Sequence, residues 1–89
     1  MKSIHLIVHG LVQGVYFRKH TQEKALALGI KGFVRNLPDS GVEIEAEGEE
    51  DAMQDFISWC RRGPERAKVT RIDMHEQGLK NFSSFEVKR

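Results

Sequence analysis

Between Ser3 and Leu28 the hydrophobic period changes from that of a strand to that of a helix across a loop bracketed by Gly10 and Gly14. Few folds accept such a join, so this stretch limits the chain more than any other. Ile4, Leu6 and Val8 alternate with His5, Ile7 and His9 up to Leu11, and the first set should face a core. From Arg18 to Leu28 good helix formers follow, with Phe17, Thr21, Ala25 and Leu28 on one stripe and Gly29 as the stop. The join itself, Gly10-Leu11-Val12-Gln13-Gly14-Val15-Tyr16-Phe17-Arg18, has the build of an anion site. Glycine lets the main chain approach a guest, first-turn amides have no partner inside the helix, and the helix dipole adds partial positive charge. Arg18 contributes a planar fork that fits two phosphate oxygens.

The rest of the chain repeats the alternation of elements. Ile30 to Asn36 reads as a strand and Leu37-Pro38-Asp39-Ser40-Gly41 as a tight turn, Pro38 fixing φ and Gly41 free to take a positive one. Val42 to Glu47 alternates cleanly, which predicts a buried face and a wet one, with Glu43, Glu45 and Glu47 on the wet side. Glu49-Glu50-Asp51 suits a helix start, Met53, Phe56, Ile57 and Cys60 recur at helical spacing, and Arg61-Arg62-Gly63-Pro64 closes the helix. Lys68 to His75 reads as a strand whose in/out parity is unresolved, because Val69 and Ile72 fall on opposite faces. Glu76 to Ser83 is a polar loop, and Ser84 to Lys88 can form a short edge strand around Phe85 and Val87. The order is that of an α+β, ferredoxin-like two-layer sandwich (βαββαβ), an antiparallel sheet with two helices on one face and a possible short extra edge strand. In that topology the first two strands end on the same sheet edge, which brings the turn after Leu11 close to Asn36.

Composition removes several function classes. Eighty-nine residues make one domain, 1–89, with one modest core. Fourteen Lys and Arg against thirteen Asp and Glu leave no broad basic surface, so anion recognition is local and no nucleic-acid partner is expected. Lys31-Gly32-Phe33-Val34-Arg35 faintly echoes an RNA-recognition sheet motif, but the partner aromatic on the first strand is absent, where His5, Ile7 and His9 stand. His5 and His9 share a strand face without a Cys or carboxylate cluster beside them in sequence, so no metal is assigned. The single Cys60 excludes an internal disulfide and fits a reducing compartment. With no apolar run of signal-peptide or membrane-span length, the expectation is a cytoplasmic, monomeric protein without a membrane partner.

Gly10-Leu11-Val12-Gln13-Gly14-Val15-Tyr16-Phe17-Arg18, followed by Gly32-Phe33-Val34-Arg35-Asn36-Leu37-Pro38-Asp39-Ser40-Gly41-Val42-Glu43-Ile44-Glu45-Ala46-Glu47-Gly48, resembles the two signatures of the acylphosphatase family. Length and element order agree as well. The resemblance implies hydrolysis of acyl phosphates, mixed anhydrides of a carboxylic acid and phosphate, without metal or cofactor. It further implies that Arg18 and the main-chain amides of Gln13, Gly14, Val15, Tyr16, Phe17 and Arg18 hold the phosphate. Asn36 would position the attacking water, and inorganic phosphate or sulfate would act as product-like ligands.

The residues themselves agree with that chemistry. Phosphoryl transfer runs through a loose transition state, so catalysis is mostly positioning and stabilisation of charge on the equatorial oxygens. The leaving carboxylate is a weak base and needs no general acid. A water in this reaction needs orientation more than deprotonation, which suits an amide such as Asn36. The rival is a non-catalytic anion- or ligand-binding module of ferredoxin-like fold, which would keep Arg18 but have less need of Asn36. The P-loop nucleotide-binding reading fails for want of its lysine motif.

Overall fold

In the computed structural model, which describes residues 1–89, the elements are β1 (Lys2–Leu11), α1 (Phe17–Leu28), β2 (Lys31–Asn36), β3 (Val42–Gly48), α2 (Glu50–Arg62), β4 (Lys68–Gln77) and β5 (Phe85–Lys88). The five strands form one sheet in the order β4-β1-β3-β2-β5. All neighbours are antiparallel except β2 and β5, so the short edge strand runs parallel to its partner. Because β1 and β2 both lie antiparallel to β3, their C-terminal ends meet one sheet edge. Val42 of β3 forms the last shared rung there, facing Val8 on one side and Asn36 on the other.

The strand periods produce the core. Ile4, Leu6 and Val8 are buried as expected, together with Val34 and Ile44 from the neighbouring strands. The helices cover that face: Phe17, Thr21 and Ala25 from α1, and Met53, Phe56 and Cys60 from α2, are buried. Phe56 meets Phe85 edge-on, with ring centroids 6.1 Å apart, which ties α2 to the edge strand. Burying such a ring contributes roughly 2–3 kcal/mol. Burial also pushes the Cys60 thiol far above the usual thiol range, so it is core and not a nucleophile.

The structure settles one open point and corrects two expectations. The parity of β4 is settled by a bulge: His9 pairs with Arg71 and Gly10 with Val69, so Thr70 is skipped and both Val69 and Ile72 pack against the core. Gly10 is required at this point, because a Cβ there would lie 2.0 Å from the Lys68 carbonyl oxygen. In the β2–β3 turn the left-handed residue is Ser40 (φ 76°), not Gly41. Gly41 serves packing instead: it is buried, and a Cβ would stand 3.3 Å from the Val8 carbonyl oxygen.

The second correction concerns the glutamates of β3. Glu45 and Glu47 are buried, with only 9% and 3% of their surface exposed, and Glu43 is half-buried. The segment between β4 and β5 folds over this face and supplies what water would have supplied. Lys80 and Phe82 donate main-chain amides to Glu47, and the Ser3 hydroxyl donates to it at 3.0 Å. Gln77 and Lys80 bind Glu45 at 2.8 and 2.9 Å, and His5 and Arg35 hold Glu43. Burial pushes all three carboxyls up, but these donors outweigh it and hold each below the usual carboxylate value. No helix is long and apolar enough to cross a membrane.

Candidate active site

Helix α1 breaks the charge rule that α2 obeys. In α2, Glu50 and Asp51 stand in the first turn and Arg61 and Arg62 in the last, each complementing the helix dipole. The first turn of α1 has no acidic residue and no side-chain cap, and carries Arg18 and Lys19 instead. Positive side chains at the positive end of a dipole cost stability, unless an anion joins them there.

The backbone leading into α1 is shaped to the same end. Gly14 (φ 74°) and Tyr16 (φ 61°) both take a positive φ, the kind of backbone turn from which anion-binding concavities of successive amides are built. Gly14 takes it without strain; Tyr16, two-thirds exposed, takes it at a cost. The first amide of the segment with a main-chain partner is that of His20, which donates to the Tyr16 carbonyl at 3.1 Å. The amides from Gln13 through Lys19 are therefore uncommitted. All of these residues but Val15 line a cleft of about 420 Å³, which is completed by Val12, Gln22, Asn36 and Val87.

Arg18 and Asn36 thus share one cleft, although one opens a helix and the other ends a strand. Arg18 is braced: its Nη1 donates to the Lys88 carbonyl at 3.1 Å. Gln22, one helical turn further on, donates to the Phe85 carbonyl at 3.1 Å and fixes β5 against α1. The β2–β3 turn is closed by the Leu37 amide on the Gly41 carbonyl (2.8 Å) and by the Gly41 amide on Asp39 (3.1 Å). The Asn36 side chain is not needed for that closure. Of the residues expected to bind phosphate, Gln13, Gly14, Tyr16, Phe17 and Arg18 line the cleft, whereas Val15 packs against the core through its side chain.

Neighbouring charged and imidazole side chains are absorbed elsewhere. Arg35 points away from Asn36 and pairs with Glu43, and His20 pairs with Glu23 at 3.3 Å. His5 binds Glu43 at 2.7 Å and His9 binds Asp73 at 2.9 Å. His5, Glu43 and Glu45 bring ligand atoms within 4.8 Å of one another on the open face, a cluster that sequence spacing did not disclose. Arg35 and Lys80 already neutralise its carboxylates. Sequence reasoning also missed the Lys88 carbonyl, Gln22 and Val87. Gln22 stands four residues after Arg18, on the same helix face, which was the available signal.

Comparison with known proteins bears on this geometry. The family profile described as Acylphosphatase matches residues 4–87. An acylphosphatase of Methylococcus capsulatus is 46% identical over 90 residues, covering 100% of this chain and 98% of the relative. One of Marinobacter nauticus is 53% identical over 82 residues, covering 91% and 89% respectively. The crystal structure of acylphosphatase from Bacillus subtilis superposes with a TM-score of 0.96 at 38% identity, covering both chains in full.

Proposed function

The chain belongs to the acylphosphatase family, and from that premise we propose that the loop Gln13–Arg18 with Asn36 performs the family's reaction, hydrolysis of the carboxyl–phosphate bond of an acyl phosphate. The observation that carries the assignment of residues is the convergence of uncommitted amides, Arg18 and Asn36 on one cleft.

The phosphoryl group sits against the amides at the start of α1, with the Arg18 guanidinium on its equatorial oxygens. Charge that builds on those oxygens in the transition state meets donors already fixed in place, so little reorganisation is needed. Asn36 accepts a hydrogen bond from the water through its amide oxygen and donates from its NH2 to a phosphate oxygen, aligning the attack. The water oxygen bonds to phosphorus as the bond from phosphorus to the acyl oxygen breaks. That electron pair leaves on the carboxylate, and the water's proton passes to the phosphate product or to solvent. A carboxylate leaves unprotonated at neutral pH, so no catalytic acid is needed.

The products are a carboxylate and inorganic phosphate, and the substrate is a small molecule. The protein works as a monomer in the cytoplasm, in keeping with a site built from one chain. The decisive test is phosphate release from a simple aryl acyl phosphate by the parent, Arg18→Ala and Asn36→Ala, with and without chelator. Chelator-insensitive turnover that both substitutions impair is the expected result. Parent-level turnover in both variants would overturn the assignment.

A further inference from the structure

The two halves of the cleft are joined by one side chain. Gln13 lies in the phosphate loop, and its Nε2 donates to the Leu37 carbonyl and the Gly41 carbonyl, each at 2.8 Å. Both N–H bonds of the amide are spent, so its orientation is fixed from two sides. The two carbonyls stand at the two ends of the turn that follows Asn36. The Gly41 carbonyl also accepts the Leu37 amide (2.8 Å), and the Leu37 carbonyl accepts the Ser40 amide (3.3 Å), so Gln13 is inserted into the hydrogen bonds that shape this turn.

This placement has a mechanical consequence. Asn36 is the last residue of β2, and beyond it the chain leaves the sheet for a turn with exposed Pro38, Asp39 and Ser40. The ladder to β3 holds the residue on its strand side only. We propose that Gln13 is a positioning residue: its side chain fixes the turn, and with it Asn36, relative to the phosphate cradle. The inference rests on the reading of Asn36 given above. It assigns Gln13 a second part in the site, separate from its main-chain amide, and gives the Gln-Gly pair a division of labour. Gly14 shapes the loop, and Gln13 ties it to the opposite wall.

The prediction is a split between rate and grip. Gln13→Met keeps the length of the side chain and removes both donors, while leaving the main-chain amides and Arg18 in place. It should lower kcat about 10-fold or more, since small misplacements of a reacting group are costly, and leave competitive inhibition by inorganic phosphate within about 2-fold of the parent. In an Asn36→Ala background the same substitution should cost nothing further, because its effect passes through Asn36. Gln13→Glu supplies a second probe: its carboxylate opposes two carbonyls at pH 7, but its protonated form regains one donor. Its rate relative to Gln13→Met should therefore rise below about pH 5.

Retained phosphate inhibition reports that the cradle is folded in each variant. Equal losses of kcat from Gln13→Met in the parent and Asn36→Ala backgrounds would overturn the proposal and leave the Asn36 reading intact. So would a phosphate affinity that falls as far as kcat. Parent-level turnover in Asn36→Ala would instead overturn the reading of Asn36, and this proposal with it.

Discussion

Arg18 donates through Nη1 to the main-chain carbonyl of Lys88 at 3.1 Å, so the side chain assigned to the phosphate is braced by β5, a strand that joins the sheet through β2 alone. A guanidinium has five N–H donors. One can serve the carbonyl while others remain for two phosphate oxygens.

Lysine has donors enough but not their planar arrangement. An ammonium is a point charge without a planar fork, so Arg18→Lys should lower kcat/KM by about 10²–10³ and weaken inhibition by inorganic phosphate. Steady-state kinetics with an aryl acyl phosphate check both. Near-parent inhibition and rate would show that charge alone suffices.

Asn36→Ala should behave differently. Its amide orients water and is not the main grip on phosphate, so kcat should fall by about 10² while phosphate inhibition changes little. The two constants, measured on one preparation, separate this outcome from general damage to the cleft.

Glu47 should govern acid sensitivity. Burial raises its carboxyl, but the Lys80 amide, the Ser3 hydroxyl and the Phe82 and Asn81 amides lower it further, to a net value below the ordinary one. A depressed carboxylate adds stability that is present above the unfolded-state value, about 4.3, and is lost as pH falls through the folded-state value. Glu47→Gln should therefore be less stable at pH 7, by about 1–3 kcal/mol, and lose less on acidification than the parent. Urea midpoints at pH 7 and pH 3 give the comparison; parallel curves would contradict the role of Glu47.

Phe56→Ala should cost about 3–5 kcal/mol, a large share of the stability of a domain this small. Phe56 is fully buried and contacts Phe85 of β5, so cavity formation and a loosened edge strand act together. Denaturant unfolding of parent and variant measures the difference.

The sequence disclosed those features that depend on local period or on a local motif. Ile4, Leu6 and Val8 reveal β1, the stripe Met53, Phe56, Cys60 reveals α2, and the Gly10–Arg18 join reveals the cleft. What escaped depends on contacts between distant segments. The burial of Glu45 and Glu47 requires the β4–β5 segment to fold back across the open face, and no alternation within β3 can report that. The bulge at Thr70 shifts the period of β4 midway, so two core residues carry opposite parity. Asn36 was legible as a motif residue, whereas its tether through Gln13 is a contact across 24 positions that leaves no periodic trace.

The rung of Val8, Val42 and Asn36 sets the breadth of the site. Two strand spacings, about 10 Å in all, separate the strand that leads to the phosphate loop from the strand that ends at Asn36. Main-chain hydrogen bonds fix that span between the strands, and the Gln13 side chain sets only how the turn beyond Asn36 sits across it. Substitutions elsewhere in the sheet can then accumulate over long divergence without altering the gauge. A one-residue slip between β1 and β3 would keep that breadth but carry Asn36 about 3.3 Å along the sheet relative to Val8 and reverse the face its side chain takes, so drift is either silent or fatal to the reaction.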